Sequence, residues 1–179
     1  SRAYSRKVSP PGFAWSMGRR DNHVSLEEVL DHLRAIVESV DVPVNADFEG
    51  GFAVEPEGVA ATVGRAVATG IAGVSIEDST GDAASPLFDF VLAGERIAAA
   101  RGAVEGSGAM LIARSEGFVA GLPDLDETIR RLVTFAGAGA DCLYAPGFSY
   151  IYQSGEKIIY TYDFKKITFY QIFPFRFRA

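Results

Sequence analysis

The sequence predicts an α/β fold: a partial (β/α)8 TIM barrel of about five βα units, followed by an unrelated aromatic tail. Three observations carry this. Short apolar runs that end in polar or charged residues alternate with amphipathic stretches. The ends of four such runs fall near residues 47, 77, 114 and 145, at intervals of 30, 37 and 31 residues. Those intervals are the length a crossover between parallel strands through a helix requires. Composition then changes abruptly near Gly147.

The elements follow in order. A first strand is predicted over 3–9. The stretch from Ser9 to Asp21, rich in Pro, Gly and small polar residues, reads as a loop, either one that turns backbone N–H groups toward an anion or a plain connection. Ser25-Leu-Glu-Glu28 is a capping box opening a helix with an apolar stripe at Leu26, Val29, Leu30, Leu33, Ile36 and Val37. Val42 to Asp47 is the second strand. Pro56 opens a helix carrying Val59, Val63, Ala66 and Val67, stopped by Gly70. Ala72 to Glu77 is the third strand, and Pro86 is expected to open the next helix through Phe90, Val91 and Ile97. Ala109 to Arg114 is the fourth strand. Asp124 caps a helix with Ile129, Leu132, Val133 and Phe135, ending at Gly137 or Gly139. Asp141 to Ala145 is the fifth strand, with Cys142 inside it as inert core. Near-continuous apolar runs suit parallel strands covered on both faces. No Gly-x-Gly-x-x-Gly follows the first strand, which argues against a dinucleotide-binding doubly wound sheet. Polar residues gather at the C-terminal ends of the strands, where a barrel carries its active site.

Two compositions are joined. Residues 1–147, read as the partial barrel domain, carry a net charge of −9; residues 148–179 carry +3 and hold 11 of the 21 aromatic residues. The segments around Tyr150, Lys157 and Lys166 are aromatic and β-branched, as strands are. The tail reads either as a β-hairpin or meander, or as disordered, non-homologous translated sequence; the second reading is preferred.

The chain of 179 residues is 48% hydrophobic and 22% charged, the composition of a folded soluble protein. No run of about 18 apolar residues is present, so no membrane partner is expected. The basic N-terminus lacks the apolar segment of a signal peptide, and one cysteine asks for no oxidising compartment; a cytoplasmic location is expected. The net charge of −6 argues against a nucleic-acid partner.

Four constellations could carry chemistry. Asp47 and Glu49 are two residues apart, so in an extended segment they point the same way and could hold Mg²⁺ through hard oxygen ligands. The alternative is a solvated loop whose acids face the dipole of the following helix. Glu77 ends a buried strand and needs a cation or a partner; metal ligand and helix cap are both open. Arg114, at another strand end, could clamp a substrate carboxylate bidentately or pair internally with Glu77 or Glu116. The loop from Ser9 to Asp21 is the fourth. His23 reads as a loop residue and His32 as a surface residue of its helix, so no nucleophile–histidine array can be built.

At these motifs the sequence resembles the isocitrate lyase/phosphoenolpyruvate mutase superfamily, most closely its bacterial and fungal family proteins. The stretches that carry the resemblance are Gly12-Phe-Ala-Trp-Ser-Met-Gly-Arg-Arg-Asp21, Pro43-Val-Asn-Ala-Asp-Phe-Glu-Gly-Gly-Phe52, Val74-Ser-Ile-Glu-Asp-Ser-Thr-Gly-Asp82, Leu111-Ile-Ala-Arg-Ser-Glu116 and Gly139-Ala-Asp-Cys-Leu-Tyr-Ala-Pro-Gly147. They stand in the family's order and cover about residues 3–147.

The resemblance implies a (β/α)8 barrel and a Mg²⁺-dependent lyase or mutase. It would act on a small 2-oxo or 2-hydroxy carboxylic acid, breaking a C–C or C–P bond through a metal-stabilised enolate. It implies Asp47, Glu49, Glu77 and Asp21 around the metal, Arg114 and Ser9 on the substrate, and Arg114 and Asp47 in catalysis. The family's Lys-Lys-Cys-Gly-His loop is replaced by Ser79-Thr-Gly-Asp82, so isocitrate cleavage is not expected. The family's first strand and N-terminal helix are not matched before Ser1, nor its last strands and C-terminal helices after Gly147, so the barrel is expected to be truncated at both ends. The alternative function is therefore a catalytically inactive relative. The family forms homo-oligomers through C-terminal helices that this sequence does not show.

Overall fold

The computed structural model describes residues 6–8, 10–20, 23–147, 152–154 and 157–159. The elements run β1 (Arg6–Val8), α1 (Pro10–Ser16), α2 (Leu26–Ser39), β2 (Val44–Asp47), α3 (Pro56–Val67), β3 (Gly73–Glu77), α4 (Phe90–Val104), β4 (Met110–Arg114), α5 (Leu125–Gly137), β5 (Cys142–Tyr144), β6 (Tyr152–Ser154) and β7 (Lys157–Ile159). Strands β1 to β5 form one sheet in sequential order, every neighbouring pair parallel. A doubly wound sheet reverses its strand order at a switch point; this one does not, and sequential order is barrel order. The fold is α/β with five consecutive strands of a TIM-barrel arrangement, as the sequence predicts. β6 and β7 pair antiparallel in a separate two-stranded ladder, Ser154 opposite Lys157.

The pleat sorts the residues onto two faces. Val44 and Ala46, Val74 and Ile76, and Leu111 and Ala113 alternate along β2, β3 and β4 and are buried. They join one core with Val29, Leu30 and Leu33 of α2, Val59 and Val63 of α3, Ile97 and Ala100 of α4, and Leu132 and Phe135 of α5. The intervening residues share the other face, a barrel's interior: Asn45 and Asp47 beside Gly73 and Ser75, Glu77 beside Arg114, and Arg114 beside Tyr144. That face is polar. The expectation of strands apolar on both faces therefore holds for one side only.

Helix boundaries follow their caps. Ser25 and Glu28 form the reciprocal box: the Ser25 N–H donates to Glu28 Oε2 at 2.9 Å, and the Glu28 N–H donates to Ser25 Oγ. Asp124 accepts from the Glu127 N–H at 3.0 Å. Two expectations are corrected. Pro86 does not open α4: its carbonyl accepts the Thr80 N–H, and Asp89 caps the helix by accepting the Val91 N–H at 2.8 Å. The stretch after β1 is not all loop, because prolines at the start of a helix cost no hydrogen bond and α1 forms there. Phe13 of α1 stacks on His32 of α2 with ring centroids 3.9 Å apart, so His32 is half-buried rather than a surface residue, and burial lowers its pKa.

Candidate active site

Three adjacent strands deliver the cluster. Asp47 is the last residue of β2, Glu77 of β3 and Arg114 of β4, all on the inner face at the same end of the sheet. The Arg114 guanidinium stands among them. Its NH1 reaches both Asp47 oxygens at 2.8 Å, its Nε donates to Glu116 Oε1 at 2.8 Å, and its NH2 lies 2.7 Å from Glu116 Oε1 and 3.3 Å from Glu77 Oε2. Of the two readings of Arg114, substrate clamp and internal salt bridge to Glu77 or Glu116, the internal bridge is present, and to both acids. Tyr144 of β5 is half-buried beside it, its ring 5.9 Å from the guanidinium carbon.

Asp47 and Glu49 do not project together from an extended segment. The strand ends at Asp47, and Glu49 has a φ of +49°, the start of a left-handed turn with Gly51 and Phe52. The Glu49 carbonyl accepts the Glu77 N–H at 3.0 Å, which keeps Glu49 beside the cluster. Ser9 and Asp21 lie outside the described residues.

The electrostatics are lopsided. Burial raises the pKa of Glu77 to about 8; Arg114 opposes this, while Glu116, Asp47 and Glu49 add to it. Burial also raises Glu116. Burial alone would lower Arg114, but the surrounding Asp47, Glu116 and Glu77 hold it above its ordinary value. One guanidinium thus faces the three carboxylates of Asp47, Glu77 and Glu116, and Glu49 adds a further negative charge beside Glu77. On the same face of β2, Asn45 Oδ1 is buried and accepts no hydrogen bond.

Among the described residues, no three acid, histidine or cysteine side chains form a ready metal-holding group. The donor set nevertheless suits a hard divalent cation, which binds carboxylate oxygens and would supply the positive charge that Glu77 lacks. Asp47, Glu49 and Glu77 are the residues that would hold it.

The folded chain keeps the Glu77 proton up to about pH 8, against an ordinary value of 4.5 in the unfolded chain. The stabilisation is full below the lower value and is lost as pH rises through the upper one. In EDTA, urea midpoints are expected to fall between pH 5 and pH 8.5 by more in the parent chain than in Glu77→Gln. Parallel profiles would refute the shift.

Two buried arginines escaped the sequence reading. Arg131 of α5 donates through NH1 to the Phe88 carbonyl at 3.0 Å and contacts Asp78 at 3.3 Å, while its Nε bonds Glu127 at 2.9 Å. Arg96 of α4 is 1% exposed and holds the loop after β2. Each sits in the stripe of its helix that should be apolar, and a charged residue there is the signal that could have found them.

The phosphoenolpyruvate phosphomutase family model matches residues 7–159. The chain belongs to that family. The match continues twelve residues past Gly147. Among solved structures, a Burkholderia cenocepacia protein described as a lyase/mutase is 41% identical over 82% of this chain and 53% of its own, with a TM-score of 0.78. A phosphonopyruvate hydrolase, solved with oxalate and Mg²⁺, is 30% identical over 78% of this chain and 50% of its own, TM-score 0.70. A 2,3-dimethylmalate lyase, described as a member of the PEP mutase/isocitrate lyase superfamily, is 28% identical over 78% and 50%, TM-score 0.71. The chain spans about half the length of these relatives. No curated protein matches it. No helix among the described residues is long and apolar enough to cross a membrane.

Proposed function

We propose that this chain carries the substrate site of a Mg²⁺-dependent lyase or mutase. Its reaction would break a C–C or C–P bond in a small 2-oxo or 2-hydroxy carboxylic acid. The observation that carries the reading is the Asp47–Arg114–Glu77–Glu116 cluster: four side chains from the ends of three adjacent parallel strands and the residues just beyond, with more negative charge than one arginine offsets. The hydrolase solved with oxalate and Mg²⁺ supports the ligand class. Bound Mg²⁺ would offset the negative charge that develops on the 2-oxo oxygen as the bond breaks.

In this reading Asp47, Glu49, Glu77 and Asp21 hold the ion, and Arg114 with Ser9 holds the substrate carboxylate. Glu77 is the loosest partner of the Arg114 fork, at 3.3 Å, so that edge is where a substrate carboxylate would be taken. Asp47, bidentate on NH1, fixes the plane of the fork. Glu116 keeps the guanidinium from swinging off the strand end. The single cysteine, Cys142, asks for no oxidising compartment, in keeping with a cytoplasmic location.

A second reading has one observation in its favour. Nε, NH1 and NH2 of Arg114 each already face a carboxylate, so the cluster can be a closed ion-pair network in an inactive relative. Thermal unfolding separates the two. A ligand at a hundred times its dissociation constant adds about 2.7 kcal/mol, a rise on the order of 5 °C or more for a chain of this size. Millimolar Mg²⁺ is expected to raise the melting temperature, and oxalate to raise it further only when Mg²⁺ is present. No rise with either leaves the closed network as the answer.

A further inference from the structure

The turn that follows β2 is unusual in its backbone. Glu49, Gly51 and Phe52 all have positive φ, at +49°, +77° and +56°. Two of the three carry side chains, and such residues stay in that region only when their surroundings hold them there. Past Glu49, whose carbonyl still accepts the Glu77 N–H, the turn's carbonyls leave the sheet. Buried carbonyls need donors, and here side chains supply them. Thr62 Oγ1 lies 2.6 Å from the Gly51 carbonyl. Arg96 supplies the rest: NH1 donates to the Ala53 carbonyl at 2.6 Å and to that of Val54, and NH2 donates to that of Gly50.

Arg96 is itself held. Its guanidinium lies over the Phe88 ring, 3.8 Å from the centroid, and the side chain is 1% exposed. A planar fork with several donors can serve three carbonyls at once, where a lysine ammonium cannot match the geometry. Gly50 fits tightly between them: a Cβ there would stand 3.2 Å from the Ser79 carbonyl and 3.5 Å from Arg96 NH2. A buried arginine on α4 that bonds only backbone within the turn carrying Glu49 is costly to keep for packing alone.

We infer that Arg96 is a positioning residue for Glu49: by clamping the carbonyls of Gly50, Ala53 and Val54 it holds the left-handed turn that presents Glu49 to the Asp47–Glu77 cluster. This rests on the reading of Glu49 as a carboxylate that faces the metal. Arg96 touches neither Glu77 nor Arg114 in any described contact, so its effect would pass through the turn.

The test uses the full chain with Arg96→Met, Arg96→Lys, Glu49→Gln and the Arg96→Met/Glu49→Gln double variant. It has two readouts: amide hydrogen exchange across residues 48–55, and Mg²⁺ affinity by calorimetry. Arg96→Met is expected to speed exchange over 48–55 while β3 and β4 stay protected, and to weaken Mg²⁺ binding by about tenfold or more. Arg96→Lys should recover part of both. The double variant should be no more than about twofold weaker than Glu49→Gln alone, because both changes remove the same contribution. A purely structural arginine would give losses that multiply, and that result overturns the inference. So does unchanged exchange over 48–55, or unchanged affinity beside a parent chain that binds. A parent chain that takes up no Mg²⁺ removes the metal reading instead, and the exchange arm alone then decides whether Arg96 holds the turn. If Arg96→Met does not fold, Arg96→Lys and Thr62→Val carry the same readouts.

Discussion

Replacing Arg114 with methionine is expected to destabilise the chain by about 3–5 kcal/mol, the cost of stranding buried charge. The side chain is 7% exposed, and its fork pairs with Asp47, Glu77 and Glu116. Methionine fills much of the volume, so the loss would not come mainly from a cavity. It would come from three carboxylates left to repel one another in a poorly solvated pocket. Protonation would relieve part of this, since burial already raises Glu77 and Glu116. In urea, with a slope of about 2 kcal/mol/M, the midpoint should fall by about 1.5–2.5 M without a change in slope. Arg114→Lys keeps the charge but loses the two-edged fork and should fall between. Adding Asp47→Asn and Glu116→Gln to Arg114→Met should restore much of the loss. That recovery distinguishes stranded charge from lost packing: if the triple variant is no better than the single one, the electrostatic account is wrong.

What the sequence revealed and what it hid divide along physical lines. Strand ends at Asp47, Glu77 and Arg114 were legible because each follows an apolar run whose alternate residues must be buried. The capping box at Ser25 and the cap at Asp124 were legible because capping is a local interaction spanning three residues. The start of α4 is not legible because Pro86 carries a helix-start signal, yet its carbonyl is engaged by Thr80 across a turn. Val91 and Val133 belong to the apolar patterns that mark these helices, yet they are 61% and 59% exposed, while Arg96 and Arg131 on the same helices are buried. Apart from Glu127 beside Arg131, their hydrogen-bond partners lie 42 or more residues away in sequence, so no local pattern reports those partners. The grouping of Asp47, Glu77 and Arg114 could be expected from strand ends alone. That the arginine stands between the acids depends on register, Glu77 opposite Arg114, which only the folded sheet fixes.

The second large effect is expected at Asp78, which ties the ends of β3 and β4 together. Its carboxylate is 3% exposed and accepts the Glu116 N–H at 2.8 Å through Oδ1. Oδ2 accepts the Ser115 hydroxyl at 3.1 Å and lies 3.3 Å from Arg131 NH1. Its backbone is engaged too, the N–H to the Arg114 carbonyl at 3.1 Å and the carbonyl to the Phe88 N–H at 2.9 Å. Burial raises its pKa, so keeping it ionised has a cost that these donors must offset. Asp78→Ala leaves a backbone N–H, a hydroxyl and part of a guanidinium without their acceptor, and is expected to cost about 3–5 kcal/mol in urea unfolding. Arg131→Met should cost less, since Asp78 keeps Ser115 and Glu116. The double variant should then be markedly less than additive, because the stranded guanidinium dominates the Asp78→Ala penalty. Additive losses would show instead that Asp78 matters through the 115–116 backbone and that Arg131 belongs to Glu127 and Phe88. Either way the loss should reach the site, because the Glu116 N–H that Asp78 holds belongs to the residue whose carboxylate pins Nε of Arg114.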